Sequence, residues 1–234
     1  MKRQPVKGHS ARPAILFDLD GTLIDSVYQH VLAWREALEQ AGIQLAVWRI
    51  HRRIGMSGGL FLKALSRETG REISPSEAQS LQKWHAGAYA NVVSQVHPLP
   101  GAVDLLARLA AEKVKFAIAT SGRLAGARPS LKALGIGENV PVITRDQVQH
   151  AKPDPDLFLA AANSLGVSIH NSIVVGDSVW DLLAGQRARA LGVGLASGGY
   201  GREELERAGA YRTYDDPLDL MNHLDELGIR TGRP

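Results

Sequence analysis

The sequence has no cysteine. Disulfides and thiolate metal sites are therefore excluded, and any metal must sit on oxygen or imidazole. No apolar run is long enough to span a bilayer. Met1 to Pro13 is polar and basic and lacks the apolar stretch of a secretory signal. These absences give the expectation of a cytoplasmic protein with no membrane partner. Internal repeats and low-complexity segments are missing too. What remains is ordinary globular composition, 44% hydrophobic against 22% charged, which can build a packed core. A length of 234 residues accommodates one large domain, or a core domain with a smaller insert.

A formal charge of +3 invites a nucleic-acid reading, but its location argues against one. Lys2, Arg3, Lys7 and Arg12 put four positive charges and no acid into the first twelve residues, which leaves the rest of the chain at −1. A basic tail on a nearly neutral body makes no nucleic-acid groove. Residues 1–12 are expected to form a disordered tail. Oligomeric state, monomer or homodimer, is not set by the sequence.

Short apolar runs mark the strands. Ala14 to Phe17 ends at Asp18, Lys115 to Ala119 ends at Thr120, and Ser172 to Val175 ends at Gly176-Asp177. Val140 to Ile143, Val193 to Ala196 and a weaker Tyr211 to Tyr214 complete the set. Helical stretches lie between them. Gly101 to Lys113 carries Val103, Leu106 and Leu109 on one face. Asp154-Pro155 opens another with Pro at the first helical position, Gly166 closes it, and Asp216-Pro217 opens the last. Strands alternating with helices give an α/β fold, a Rossmann-like parallel sheet with helices on both faces. Ligands bind such sheets beyond the carboxyl ends of the strands, which gathers Asp18, Thr120 and Asp177 on one edge.

One interval breaks the alternation. From 26 to 97 the signals are only helical: a capping box at Ser26 and Gln29, a better one at Ser74 and Glu77, a helix over Gly58 to Gly70, and amphipathic runs through Val31, Trp34, Ala37 and Leu38 and through Leu81, Trp84 and Ala88. The expected organisation is an α/β core over 13–25 and 98–234 with an all-helical cap over 26–97. Pro98-Leu99-Pro100-Gly101 marks the return.

Asp18 and Asp20 stand one residue apart at the end of a buried strand. Two such carboxylates are costly unless a cation or a reaction needs them. Gly21 lets the backbone turn there. One carboxylate can attack phosphorus, and the other can protonate a leaving oxygen and then deprotonate water. An Asp-Gly turn alone would be structural, but Asp18-Leu19-Asp20-Gly21-Thr22 behind an apolar strand points to chemistry.

With these residues the sequence resembles the haloacid dehalogenase-like hydrolases, in the helical-cap subgroup that includes phosphoglycolate phosphatases and β-phosphoglucomutases. Four segments carry the resemblance in order: Asp18 to Thr22, Ile118-Ala119-Thr120-Ser121-Gly122, Ala151-Lys152-Pro153-Asp154-Pro155, and Val175-Gly176-Asp177-Ser178-Val179-Trp180-Asp181. The resemblance implies a magnesium-dependent phosphatase acting on a small phosphorylated metabolite through an aspartyl-phosphate on Asp18. It makes Asp20 the acid and base, and Lys152 the balancing ammonium. Thr120, with Ser121 and Gly122, contacts the phosphoryl group. It implies that Asp18, the backbone carbonyl of Asp20 and Asp177 hold Mg2+. Asp181 either stands behind the metal or caps a helix with Ser178.

The same resemblance frames the alternatives. Asp20 sets dehalogenation aside, since that chemistry lacks the second aspartate. A sugar-phosphate mutase is the closer rival. His30, with Trp34, sits where β-phosphoglucomutase links a histidine to its acid/base aspartate. Ile54 to Gly59 resembles the specificity loop, but Gly58 stands where the mutase has an arginine for the distal phosphate. Arg53, Arg52 or Arg123 could substitute, and Gly55 joins the expected substrate contacts. Phosphonate cleavage would need Lys63 or Lys83. An inactive binding or regulatory protein on the same fold is the third reading.

Overall fold

Alternation along the first strand builds both layers of the molecule. In the computed structural model of the protein, which describes residues 12–229, Ala14–Phe17 forms β1, and all four residues are buried. Ile15 and Phe17 face one apolar cluster and Leu16 the other, as the two-residue period of a strand requires. Apart from Arg12, the basic tail lies outside the described residues.

Further strands are β4 (Phe116–Ala119), β5 (Val142–Ile143), β6 (Ser172–Gly176), β7 (Leu191–Leu195) and β8 (Ala210–Tyr214). They join β1 in one six-stranded sheet of order β5-β4-β1-β6-β7-β8, parallel throughout. On the Phe17 side lie α5 (Ala102–Ala111), α6 (Leu124–Ala133) and α10 (Pro217–Asn222). On the Leu16 side lie α7 (Asp156–Ser164) and α8 (Val179–Ala188). The short α9 (Arg202–Arg207) packs Leu205 against Leu182 and Tyr200. β1 is central, so Asp18 leaves the sheet where strands flank it on both sides. No helix of the described residues is long and apolar enough to cross a membrane.

The helical insert leaves and rejoins the core through a narrow neck. Ile24–Asp25 (β2) pairs antiparallel with His97–Pro98 (β3). Between them lie α1 (Val27–Gln40), α2 (Val47–His51), α3 (Gly58–Thr69) and α4 (Pro75–Val92). These helices bury a separate cluster built from Val31, Trp34, Leu38, Ile50, Phe61, Leu65 and Leu81.

Several local readings are corrected. Val103 is 44% exposed; the buried stripe of α5 is Ala102, Leu105, Leu106 and Leu109. Trp84 is 37% exposed, because α4 packs along α1 on a narrow stripe of Leu81, Ala88 and Tyr89. Pro155 caps α7, which starts one residue later than expected. Ser26 and Gln29 form no capping box. The Ser26 hydroxyl donates to Asp20 Oδ1 at 2.7 Å instead. Ser74 does cap α4, accepting from the Glu77 amide.

Candidate active site

Three buried strand ends and one buried lysine make the centre. Asp18 follows β1, Thr120 follows β4 and Asp177 follows β6; all three are buried, and so are Lys152 and Asp181. The Lys152 ammonium bridges Asp18 Oδ1 and Asp181 Oδ1, the latter at 2.8 Å, and lies 5.0 Å from the centre of the Phe158 ring. One carboxylate oxygen from each of Asp18, Asp177 and Asp181 falls within 4.8 Å of the others. The Thr22 hydroxyl donates to Asp177 Oδ1 at 2.8 Å and lies 3.4 Å from Asp18 Oδ2. Thr22 had no assigned role in the sequence reading beyond its place in the motif.

Gly21 is required twice over. Its φ of +87° is left-handed, and a Cβ there would lie 2.4 Å from Asp177 Oδ2. Asp181 does two jobs. Its Oδ2 closes a capping box with Ser178, accepting from the Ser178 amide and hydroxyl at 3.1 and 2.5 Å, while Oδ1 faces Lys152.

The electrostatics follow from burial. Burial lifts Asp18 to about 7, and Asp181 and Asp20 add to the lift against the opposing pull of Lys152. Asp177 is pushed well above the usual carboxylate range by burial and by Asp181 and Asp18. Burial pulls Lys152 down, but Asp18 and Asp181 overcome it and keep it charged. Three buried carboxylates thus stand beside one ammonium, which pairs with two of them. That donor set, all oxygen and in excess of positive charge, fits a divalent cation such as magnesium.

Asp20 is separate from this cluster. Burial pushes it up, but His30 and hydrogen bonds from His30 and Ser26 hold it below the usual range. His30 Nε2 lies 3.4 Å from Asp20 Oδ1.

Both Asp18 and Asp20 open into a cavity of about 610 Å³ between the core and the helical insert. Thr120, Ser121, Gly122 and Arg123 line it from the core; His30, Arg53, Gly55, Gly58, His85 and Tyr89 line it from the insert. Thr120 Oγ1 accepts from the Gly122 amide at 3.0 Å, and the Ser121 hydroxyl is buried without a partner among the described residues. The three arginines expected at the substrate are occupied. Arg53 pairs with Glu68, Arg52 with Glu204 across the cap–core boundary, and Arg123, with its side chain 71% exposed, with Asp146. Gly55, at φ +98°, lies against Ser178, where a Cβ would sit 2.6 Å from the hydroxyl. Lys63 and Lys83 are exposed and do not line the cavity. Sequence reasoning missed His85, whose place on α4 carried no motif.

Residues 13–189 match the haloacid dehalogenase-like hydrolase family. The chain belongs to the haloacid dehalogenase-like hydrolases. Among relatives of this hydrolase, a phosphoglycolate phosphatase of Rhodospirillum rubrum is 30% identical over 219 residues, covering 90% of each chain. A β-phosphoglucomutase of Bacillus subtilis is 30% identical over 191 residues, covering 79% of this chain and 84% of its own. The crystal structure of a hydrolase from Pseudomonas syringae superimposes with a TM-score of 0.90 at 57% identity, covering 92% of this chain and 98% of its own. The hydrolase is accordingly an enzyme of the phosphatase type.

Proposed function

We propose that the protein hydrolyses the phosphate ester of a small metabolite, phosphoglycolate-like or sugar-phosphate-like, through an aspartyl-phosphate on Asp18 and with magnesium as cofactor. The observation that carries the reading is the buried Lys152 bridge between Asp18 and Asp181, with Asp177 beside it and Asp20 held apart by His30. This divides a nucleophile from an acid and base.

A carboxylate oxygen of Asp18 attacks phosphorus, and the bond to the leaving oxygen breaks as Asp20 gives that oxygen a proton. Asp20 then takes a proton from water, whose oxygen attacks phosphorus and frees Asp18 and phosphate. A phosphate dianion beside Asp20 raises its proton affinity, so the acid form is favoured when substrate is bound. Lys152 offsets the charge on Asp18 and the phosphoryl group. The Thr120 hydroxyl and the Ser121 and Gly122 region orient the phosphoryl oxygens. Asp18 and Asp177 would hold magnesium by carboxylates and Asp20 by its backbone carbonyl, with Asp181 behind them. Bound there, the ion supplies positive charge to the phosphoryl oxygens.

The His30 contact with Asp20 also suits a mutase. A mutase must grip a second phosphate. The arginines expected to do so, Arg52, Arg53 and Arg123, each already face a carboxylate, and Arg145, which also lines the cavity, donates to the Val148 carbonyl. Hydrolysis is therefore favoured. The test is Asp18→Asn against wild type on a panel of phosphate esters with magnesium. Phosphate release by wild type and its loss in the variant are expected; equal inertness of both sinks the enzyme reading. Conversion of a hexose 1-phosphate to its 6-phosphate without net phosphate release would establish the mutase instead.

A further inference from the structure

The hydrogen-bond chain from Asp20 does not stop at His30. His30, on α1, turns Nδ1 towards His85 Nε2, on α4, at 3.2 Å. The two rings are 23° from coplanar with centroids 5.3 Å apart. Close nitrogens, nearly parallel planes and distant centroids mean contact edge to edge, in the plane where ring N–H groups and lone pairs lie. Each ring is also clamped by an aromatic face. Tyr89 stacks on His30 at 3.9 Å and 9°, and Trp34 on His85 at 4.2 Å and 18°. Neither imidazole can turn without breaking a stack.

Proton bookkeeping gives the chain its direction when His30 is neutral. An ionised Asp20 can only accept, so His30 must carry its hydrogen on Nε2. With His30 neutral, Nδ1 is its remaining acceptor, and His85 Nε2 is then the donor. We propose that His85 is a positioning residue for the acid and base of this site: its Nε2–H fixes the tautomer and orientation of His30, which in turn fixes Asp20. His85 does not touch Asp20. Burial pushes the His85 pKa down to about 3, so the ring is neutral at physiological pH and suits the role. At the far end, Ser26 and His30 both hold Asp20 Oδ1, at 2.7 and 3.4 Å. Oδ2, with no hydrogen-bond partner among the described residues, is left to exchange the proton with the leaving oxygen.

The inference rests on the acid and base role proposed for Asp20, and leaving-group dependence reads it. An alkyl phosphate needs its leaving oxygen protonated; p-nitrophenyl phosphate leaves without that help. His85→Phe keeps a ring for the stack on Trp34 and removes the donor. It is expected to lower kcat/KM for the best alkyl substrate of the panel by about tenfold to a hundredfold, part of the usual worth of general acid catalysis. For p-nitrophenyl phosphate the change should stay within about threefold. His85→Gln restores an amide donor and should recover most of the alkyl activity. Equal losses on both substrates, or none on either, overturn the proposal. A wild-type enzyme inert on every ester overturns the phosphatase reading, and this role with it.

Nitrogen-15 spectra of the wild-type histidines give a check that no variant's folding can spoil. His30 should show a protonated Nε2 and a bare Nδ1. A proton on Nδ1 overturns the donor assignment even where the kinetics agree.

Discussion

Lys152 stands between two buried carboxylates, and its removal would leave both without a countercharge. Breaking a buried ion pair from one side costs about 3–5 kcal/mol. Lys152→Met is therefore expected to lower stability by about that amount in urea unfolding. Phosphate release should fall about a hundredfold to a thousandfold, as when a preorganised group that stabilises transition-state charge is lost. A variant of wild-type stability would mean that the Lys152 contacts with Asp18 and Asp181 contribute little to the fold. At this scale the motifs were legible. Asp18, Asp20, Thr120, Lys152 and Asp177 sit in short strings that announce themselves. Thr22, Ser26 and His85 do not, because a hydroxyl or an imidazole gains its role from what stands opposite it, and that is decided by packing.

At the scale of elements, the segment after α2 joins the two halves. The Arg52 carbonyl accepts from Trp180 Nε1 at 3.1 Å and from the Tyr200 hydroxyl at 3.0 Å, and His51 Nε2 meets the Gly198 carbonyl at 2.8 Å. Gly55 closes this seam against Ser178. Gly55→Ala forces a side chain into left-handed backbone, at about 1–2 kcal/mol, and into the Ser178 hydroxyl. A lower urea midpoint and a raised KM are expected together. An unchanged KM would argue that the seam does not shape the cavity. Long apolar elements were legible as strands or helices; α2, α9, β2 and β3 were not, since two to six residues carry no resolvable period. α6 escaped notice because Pro129 interrupts its middle.

For the whole molecule, His85 gives folding a pH signature. Its pKa drops from the ordinary 6.5 to about 3 on burial, so below 6.5 the unfolded chain binds a proton that the folded chain refuses. The stability it contributes is complete above that value and is lost as pH falls towards 3. Wild-type Tm should therefore fall more between about pH 7 and about pH 5 than that of His85→Gln. Parallel Tm profiles would contradict the burial assigned to the ring.

The sequence by itself determined the parallel sheet and the gathering of Asp18, Thr120 and Asp177 at its edge. These follow from local order: apolar runs end in polar residues, and parallel strands point their ends the same way. Only the tertiary structure decided which charges remain available. Arg52, Arg53 and Arg123 read alike in the chain, yet each is engaged by an acid from another element, Glu204, Glu68 or Asp146. The resemblance pointed to the His30 contact with Asp20, but nothing in the sequence revealed its continuation to His85, 55 residues further along. Hydrogen bonds and ion pairs act over a few ångströms in space, and the distances that govern them exist only once the helices have packed.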